Sequence, residues 1–337
     1  MHADPLADVA VEALHALHGR WWPMVLKALE DGVEAVPDAP PELAALIASL
    51  PPEPTPEDWE KMNRGSAAVA RAGDSAGLVL QCASLMIDYW SPPAMKPLVM
   101  TGALQKQTIH RLTQTNAWWI ELHRPGGLQS NQDGYRTTIH VRLIHAFVRR
   151  MIHGSGAWDR EAWGEPINQA DLFFQVVGFS KLMVDNLQRM GYWFTAEEKE
   201  GYFLFWRHVA ALLGVEKSLL PSVNETDCGR YWDLWMLTNP GPDAEGIALA
   251  RATLRQRPAP AIRRRRCVAS SSGSCVEQPT DCSPGISARS SRCRGPRPDT
   301  SCRWSTSRQC GFQRHWQNCA ASIAARRQRG RSASWRS

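Results

Sequence analysis

The first 250 residues are poor in cysteine and contain no long apolar run. Only Cys82 and Cys228 lie there, whereas the other seven of the nine cysteines follow residue 250. A body with two cysteines and no secretory signal predicts a reducing, cytoplasmic location. No apolar run approaches the roughly 20 residues that cross a bilayer, so we predict no transmembrane segment.

Several signature motifs are also missing. The sequence has no P-loop, no G-x-G-x-x-G fingerprint and no Ser-His-Asp order, so the sites that these motifs form are not predicted. It has no C-x-x-C pair, which disfavours a zinc module. Strand-like alternation is absent from residues 1–254, where long segments have helical periodicity instead. We therefore predict an all-α fold with a single globular helical domain.

Charge divides the chain near residue 250. Residues 251–337 contain 19 arginines, no lysine and three acidic residues, a formal charge of +16. Because the whole chain carries +6, residues 1–250 carry −10. The overall charge therefore says little about the partners of the acidic body, for which we predict no nucleic acid.

We divide the chain into an N-terminal helical excursion with a Pro-rich linker (1–57), a helical domain (58–256) and a basic tail (257–337) without packed structure. Three hypotheses account for the tail. It is an Arg/Ser-rich arm that binds nucleic acid, a disulfide-rich extension, or the product of a shifted reading frame in a GC-rich gene. We favour the shifted reading frame, since lysine disappears while Arg, Ser, Cys and Pro dominate.

Within the body, start and stop signals predict individual helices. We expect a helix from Pro56, a buried apolar helix over 73–90 and an apolar-faced helix over 167–190. Thr195 and Glu198 have the spacing of a capping box that opens another helix. The sequence Asn-Pro-Gly-Pro at 239–242 divides the last helical region.

The stretch 133–154 carries the most informative pattern. Asp133-Gly134 supplies a start signal and Gly154 a stop, so we predict one amphipathic helix. His145 lies at the margin of its apolar arc, and Arg142 and Arg149 share a stripe with it. The arc consists of Val141, Ile144, Val148, Met151 and Ile152.

An imidazole between an apolar face and two guanidinium groups suits haem. The imidazole of His145 can bind the iron, and Arg142 and Arg149 can hold the propionates by charge-assisted hydrogen bonds. The apolar arc would cover the macrocycle. The alternative is a helix whose polar edge merely carries His and Arg in water.

Several segments of the body have an informative order and spacing. They are RLTQT at 111–115, VRLIHAFVR at 141–149, NQADL with GFS at 168–180, Leu187 with Arg189 and Gly191, and EKEGYFLFWRHVAALLGVEKSLLP at 198–221. Together they resemble the family of latex clearing protein (rubber oxygenase) and the oxygenase mpaB, and the resemblance covers about residues 80–254.

The resemblance implies an all-helical catalytic domain around haem b, with His145 as the proximal iron ligand. It places Arg142 and Arg149 near the haem as cofactor-binding residues. It also places Arg111 and Thr115 beside the distal side as catalytic residues. Where the rubber oxygenase has a lysine before that threonine, this chain has Gln114.

We therefore hypothesise an oxygenase that uses O2 on a small apolar substrate, with isoprenoids as a candidate class. Its alternatives are a non-catalytic haem-binding or sensing protein and a cofactor-free helical interaction protein. Nucleic-acid binding through 257–337 is a further alternative, which salt-sensitive affinity would reveal.

Overall fold

The chain divides into two units, residues 1–263 and residues 264–337. The protein is known from a computed structural model. It describes residues 2–17, 21–101, 108–130, 132–239 and 241–255, together with the backbone of 267–269 and 275–277. The described part of the first unit consists of helices and connecting turns, which confirms the all-α prediction.

The α-helices of the described residues are α1 (Pro5–His15), α2 (Trp21–Asp31), α3 (Pro41–Ala48), α4 (Pro56–Ala70), α5 (Asp74–Val79), α6 (Pro92–Met100), α7 (Thr108–Leu122), α8 (Asp133–Ser155), α9 (Arg160–Trp163), α10 (Gln169–Phe179), α11 (Lys181–Arg189), α12 (Ala196–Leu212), α13 (Glu225–Thr238) and α14 (Ala244–Arg255).

The second unit contains a short hairpin. Strands β1 (Cys267–Ala269) and β2 (Cys275–Glu277) are antiparallel, with Val268 opposite Val276. Both strands lie in the segment for which the sequence predicts no packed structure. Apart from these six residues, that prediction falls outside the described residues.

Local capping signals set the helix starts. The Thr195 hydroxyl accepts a hydrogen bond from Glu198 N at 3.2 Å, and the Glu198 carboxylate accepts one from Thr195 N at 2.9 Å. This is the predicted capping box of α12. Thr55 caps α4 in the same way, by accepting from Asp58 N at 3.2 Å. Both helices therefore begin where the sequence predicts.

Two predicted helices are interrupted. The buried segment 73–90 begins as α5, continues as a π-helical turn (Leu80–Ser84) and ends in a 3-10 turn (Asp88–Trp90). The segment 167–190 is divided at Ser180, whose backbone dihedral ψ of −77° departs from helical geometry and separates α10 from α11. The predicted division at 239–242 is present between α13 and α14.

Four apolar clusters stabilise the described part of the first unit, and two of them are large. The larger joins α4, α5, α7 and α10–α13, with Trp206 and Met183 completely buried. The smaller packs α1, α2 and α3 against α8, through residues such as Val11 and Leu143. The N-terminal helices thus cover one face of α8, the helix that carries the predicted site. None of the described helices is long and apolar enough to cross a membrane.

Candidate functional site

His145 lies on α8 with its Nδ1 atom buried and without a hydrogen-bond partner among the residues that the structure describes. Burial and the positive charge of Arg149 together lower the pKa of His145 to about 4, with burial the larger cause, and the charge of Asp4 opposes the shift. The imidazole is therefore neutral at pH 7, which is the form that binds metal ions. A buried polar nitrogen without a partner costs free energy, so its presence needs an explanation.

Both predicted arginines form ion pairs with α1. Arg142 donates from Nε and Nη2 to the two carboxylate oxygens of Asp4, at 2.6 and 3.0 Å. Each of these two side chains is only 5% exposed. Arg149 donates from Nε to Asp8 at 2.7 Å and from Nη1 to the carbonyl of Ile167 at 3.4 Å. Its Nη2 atom is buried and has no hydrogen-bond partner within the described ranges.

Asp8 is less enclosed than Asp4, with a side chain 39% exposed. Partial burial raises the pKa of Asp8, although the ion pair with Arg149 lowers it. The Asp8 carboxylate is thus held less firmly than that of Asp4. Arg149 therefore has one loosely paired carboxylate and one unused donor, whereas Arg142 is bound on two atoms.

An apolar strip on α8 is left uncovered beside His145. Ile144 is 41% exposed and Met151 is 47% exposed, while Val141 and Val148 are half-buried between them and His145. At about 100° per residue, Val141 and Val148 lie roughly 40° and 60° around the helix from His145. Exposed large apolar side chains that adjoin one another mark surfaces that bind a partner or ligand. We call Val141, Ile144, Val148 and Met151 the α8 apolar strip.

Helix α7 carries the other two predicted site residues. The indole of Trp118 on α7 donates to the Thr138 hydroxyl on α8 at 3.0 Å. This bond fixes the register of two successive helices, which the loop 123–132 connects. Seven residues back along α7 lies Arg111, and seven residues forward along α8 lies His145. Since both steps cover about 10 Å of helix, Arg111 and His145 lie at about the same level.

Arg111 belongs to a polar network rather than to open solvent. Its Nη2 atom donates to the hydroxyl of Tyr89, and its guanidinium carbon lies 5.6 Å from the centre of that ring. The Tyr89 hydroxyl is 3.0 Å from that of Thr253 on α14. Thr115, one turn further along α7, is half-buried. Tyr89 thus links Arg111 on α7 to Thr253 on α14 and holds its guanidinium group in place.

Two carboxyl groups with raised pKa values, of which Asp88 interacts with Arg111, were missed from the sequence. Burial raises the pKa of Asp88 to about 6, although the charge of Arg111 opposes the shift. Burial also raises the pKa of Asp171 to about 7, against a backbone hydrogen bond from Asn168, and the charge of Asp88 adds to the rise. The available signal was that Asp88 is the only acidic residue between Asp74 and Glu121.

The described cavities lie on the α1 side of the arginines. One, of about 550 Å³, is lined by Arg142 and Asp4, and another, of about 630 Å³, by Asp8 and Val9. Neither is lined by His145, Arg111 or Thr115. Within the described ranges, no group of three or more His, Cys, Asp or Glu side chains could hold a bare metal ion.

Comparison with known proteins identifies the fold and the type of domain. The family model described as "ER-bound oxygenase mpaB/B'/Rubber oxygenase, catalytic domain" matches residues 69–279. The match covers more than half of the chain and includes all five predicted site residues. It also extends past residue 257, where the sequence suggests that a tail begins.

Two individual proteins are similar over parts of the chain. The rubber oxygenase of Streptomyces sp. (strain K30) is 27% identical over 88 residues, which are 26% of this chain and 22% of that protein. The solved structure of latex clearing protein in its closed state has a TM-score of 0.59 at 17% identity, covering 75% of this chain and 69% of the other. The structural match shows a shared fold.

Proposed function

This chain belongs to the family of the ER-bound oxygenase mpaB/B′ and rubber oxygenase, and we propose that it is a haem b-dependent member that oxidises a small apolar substrate with O2. Membership of this family supports the proposal that the chain is an oxygenase of the oxidoreductase class. Haem b, the iron ligand and the substrate class are our proposal. We also retain the cytoplasmic location as a prediction.

One observation carries the proposal, namely the unpartnered His145 Nδ1 beside the α8 apolar strip. The strip offers a flat macrocycle an apolar surface, and the neutral imidazole offers the iron a ligand. A bare ion would need several protein ligands, whereas a porphyrin brings four nitrogens of its own. A single histidine therefore suits haem better than a free metal ion.

The arginines divide their roles in this proposal. Arg149 can donate its unpartnered Nη2 to a propionate, which would remove the cost of burying that donor. Arg142 already uses two donors on Asp4, so its first role is to hold α8 against α1 near the cofactor. Bound haem would supply the iron centre that reacts with O2.

Arg111 and Thr115 would supply the polar side of the site from α7. Arg111, held by Tyr89, presents a fixed positive charge at the level of His145. Asp88, whose pKa is about 6, can hold a proton on its carboxyl group near neutral pH and is influenced by that charge. These residues would orient O2 and substrate and manage a proton, while the exposed apolar side chains favour an apolar substrate such as an isoprenoid.

The test is an absorbance spectrum of the full chain expressed with haem supplied, before and after dithionite. We expect a Soret band that shifts on reduction, at about one haem per chain, and we expect His145→Ala to lose stoichiometric haem. His153→Ala is the matched control, because His153 lies two turns further on α8 and pairs with Glu165 at 3.2 Å. It should retain haem.

Full occupancy and an unchanged spectrum in His145→Ala would exclude His145 as the ligand. Circular dichroism of the haem-free variants shows whether α8 and its neighbours still fold. O2 uptake by the haem-loaded protein, measured with isoprenoid and other apolar compounds, then tests the substrate class.

A further inference from the structure

The cavity of about 550 Å³ beside Arg142 lies away from the α8 apolar strip and has a largely apolar wall. We call it the α1 cavity. It is bounded by the start of α1, the loop after α3 and the end of α12. Its volume is within the range of about 300–1,000 Å³ that small-molecule sites occupy. The apolar wall is formed by Leu6, Leu50, Pro51, Pro52, Val215 and Leu220.

The deep polar groups of the α1 cavity satisfy one another. Arg142 and Asp4 form their bidentate pair there and cancel in charge. Gln169 donates to the carbonyls of Ala3 and Gly214 at 2.8 and 3.0 Å and accepts from Glu216 N at 2.8 Å. These polar groups have their hydrogen-bond partners within the protein, so the interior of the cavity suits a hydrocarbon chain better than a polar ligand group.

The rim of the α1 cavity carries one lysine, Lys217, whose charge is not used within the described part of the protein. The neighbouring Glu216 lies 3.2 Å from the His2 imidazole, which pairs with it when protonated. Lys217 is exposed and has no ion-pair partner among the residues that the structure describes. A ligand group that complements this rim is an anion at the end of an apolar body.

We propose that the α1 cavity binds an aliphatic carboxylate, with its chain between Leu50, Val215 and Leu220 and its carboxylate beside Lys217. This site goes beyond the proposed oxygenase reaction, because it requires neither His145 nor haem. It is nevertheless next to the cofactor region, since Arg142 lines the cavity and lies one turn before His145 on α8.

The experiment is a calorimetric titration of the full chain with decanoate, repeated with decanol, on both the haem-free and the haem-loaded protein. We expect saturable one-site binding of decanoate and weaker binding of decanol. Lys217→Gln should weaken decanoate binding about fivefold, as expected for a partly exposed ion pair, without affecting decanol. Lys27→Gln, the same change at an exposed lysine of α2 outside the cavity, should have no effect.

A second variant tests the location. Ala211→Phe places a ring in the cavity from a half-buried position of α12 and should reduce decanoate binding at least about tenfold. Circular dichroism checks its fold, and Lys217→Gln decides the matter if Ala211→Phe unfolds.

Absence of saturable binding to the wild-type chain overturns the proposal. Equal binding of decanoate and decanol, unaltered by Lys217→Gln, overturns the carboxylate as occupant. Undiminished binding to folded Ala211→Phe overturns the site. Because the titration of haem-free protein does not depend on His145, failure here and failure of the oxygenase proposal are separate results.

Discussion

At the residue scale, the buried pair of Asp4 and Arg142 depends on the backbone of Gly214. A Cβ atom at Gly214 would lie 2.3 Å from Asp4 Oδ2 and 2.5 Å from Arg142 Nε, and the φ of +84° suits glycine alone. The chain can therefore pass directly over the two charged groups, whose side chains are only 5% exposed. Burying both charges is costly, so each depends strongly on the other.

Asp4→Asn should lower the free energy of unfolding by about 3 kcal/mol, because it leaves Arg142 buried without a counter-charge. Asparagine can still cap α1, as Asp4 does by accepting from Ala7 N, so the change isolates the charge. The matched control is Glu12→Gln, which removes the exposed partner of Arg150 and should cost less than about 1 kcal/mol. Urea unfolding curves measure both, and equal losses would contradict the argument.

The stripe of Arg142, His145 and Arg149 could be predicted because its spacing is local to one helix. Its partners could not be predicted, since Asp4 is 138 residues from Arg142 and Asp8 is 141 residues from Arg149. Helical periodicity indicates which side chains share a face and carries no information about which distant segment covers that face. The sequence therefore predicts the same role for both arginines, as propionate ligands. Only the structure shows that Arg149 has a donor left for a propionate, whereas Arg142 is bound by Asp4.

At the element scale, α4 and α12 cross at two glycines. A Cβ atom at Gly65 would lie 2.1 Å from Tyr202 N, and one at Gly201 would lie 2.1 Å from the carbonyl oxygen of Lys61. The two backbones are thus in direct contact at the centre of the larger core. No helix that carried a side chain at either position could approach so closely.

Gly65→Ala should therefore destabilise the protein by about 2–3 kcal/mol, because the methyl group forces the helices apart. Gly154→Ala is the control, since Gly154 lies in the last turn of α8 with no neighbouring atom within 4 Å. There alanine should stabilise the helix by about 0.5 kcal/mol. Thermal unfolding distinguishes the two variants, and a neutral Gly65→Ala would mean that the crossing can relax.

Helix starts and helix breaks differ in how far sequence predicts them. The Thr195 capping box was predictable because its donors and acceptors lie within four residues. The break at Ser180 was not, because the apolar periodicity of residues 167–190 continues on both sides of it. The Ser180 hydroxyl donates to the carbonyl of Val176 at 2.6 Å, a bond that competes with regular helix geometry and has no distinctive sequence signal.

At the scale of the whole molecule, stability depends on groups whose pKa values shift in opposite directions. Burial lowers the pKa of His123 to about 4, so the unfolded chain binds that proton first as the pH falls below 6.5. This contribution reduces stability as the pH falls. Burial raises the pKa of Asp88 to about 6, so the folded chain binds that proton first and gains stability as the pH falls.

The prediction concerns variants measured at pH 7.0 and 5.5. When the pH falls from 7.0 to 5.5, the free energy of unfolding of His123→Phe should rise by about 1 kcal/mol relative to that of wild type. The variant lacks the imidazole that binds a proton in the unfolded chain but not in the folded one. Over the same interval, the free energy of unfolding of Asp88→Asn should fall by about 1 kcal/mol relative to that of wild type, because the variant lacks the carboxyl group that binds a proton in the folded chain first. Urea unfolding at the two pH values gives both differences. Shifts of the same sign in both variants would contradict these assignments.

The pairing of Asp4 with Arg142 also determines when, during translation, α1 can pack against α8. At about 5–20 residues per second, the 138 residues between them take roughly 7 to 28 s to translate. During that interval Asp4 has been synthesised and its counter-charge, Arg142, has not. Until then, the N-terminal segment that covers one face of α8 is exposed to water on the nascent chain and has no ion-pair partner on α8. The wall between the α1 cavity and the helix of His145 is completed only after residue 142 has emerged.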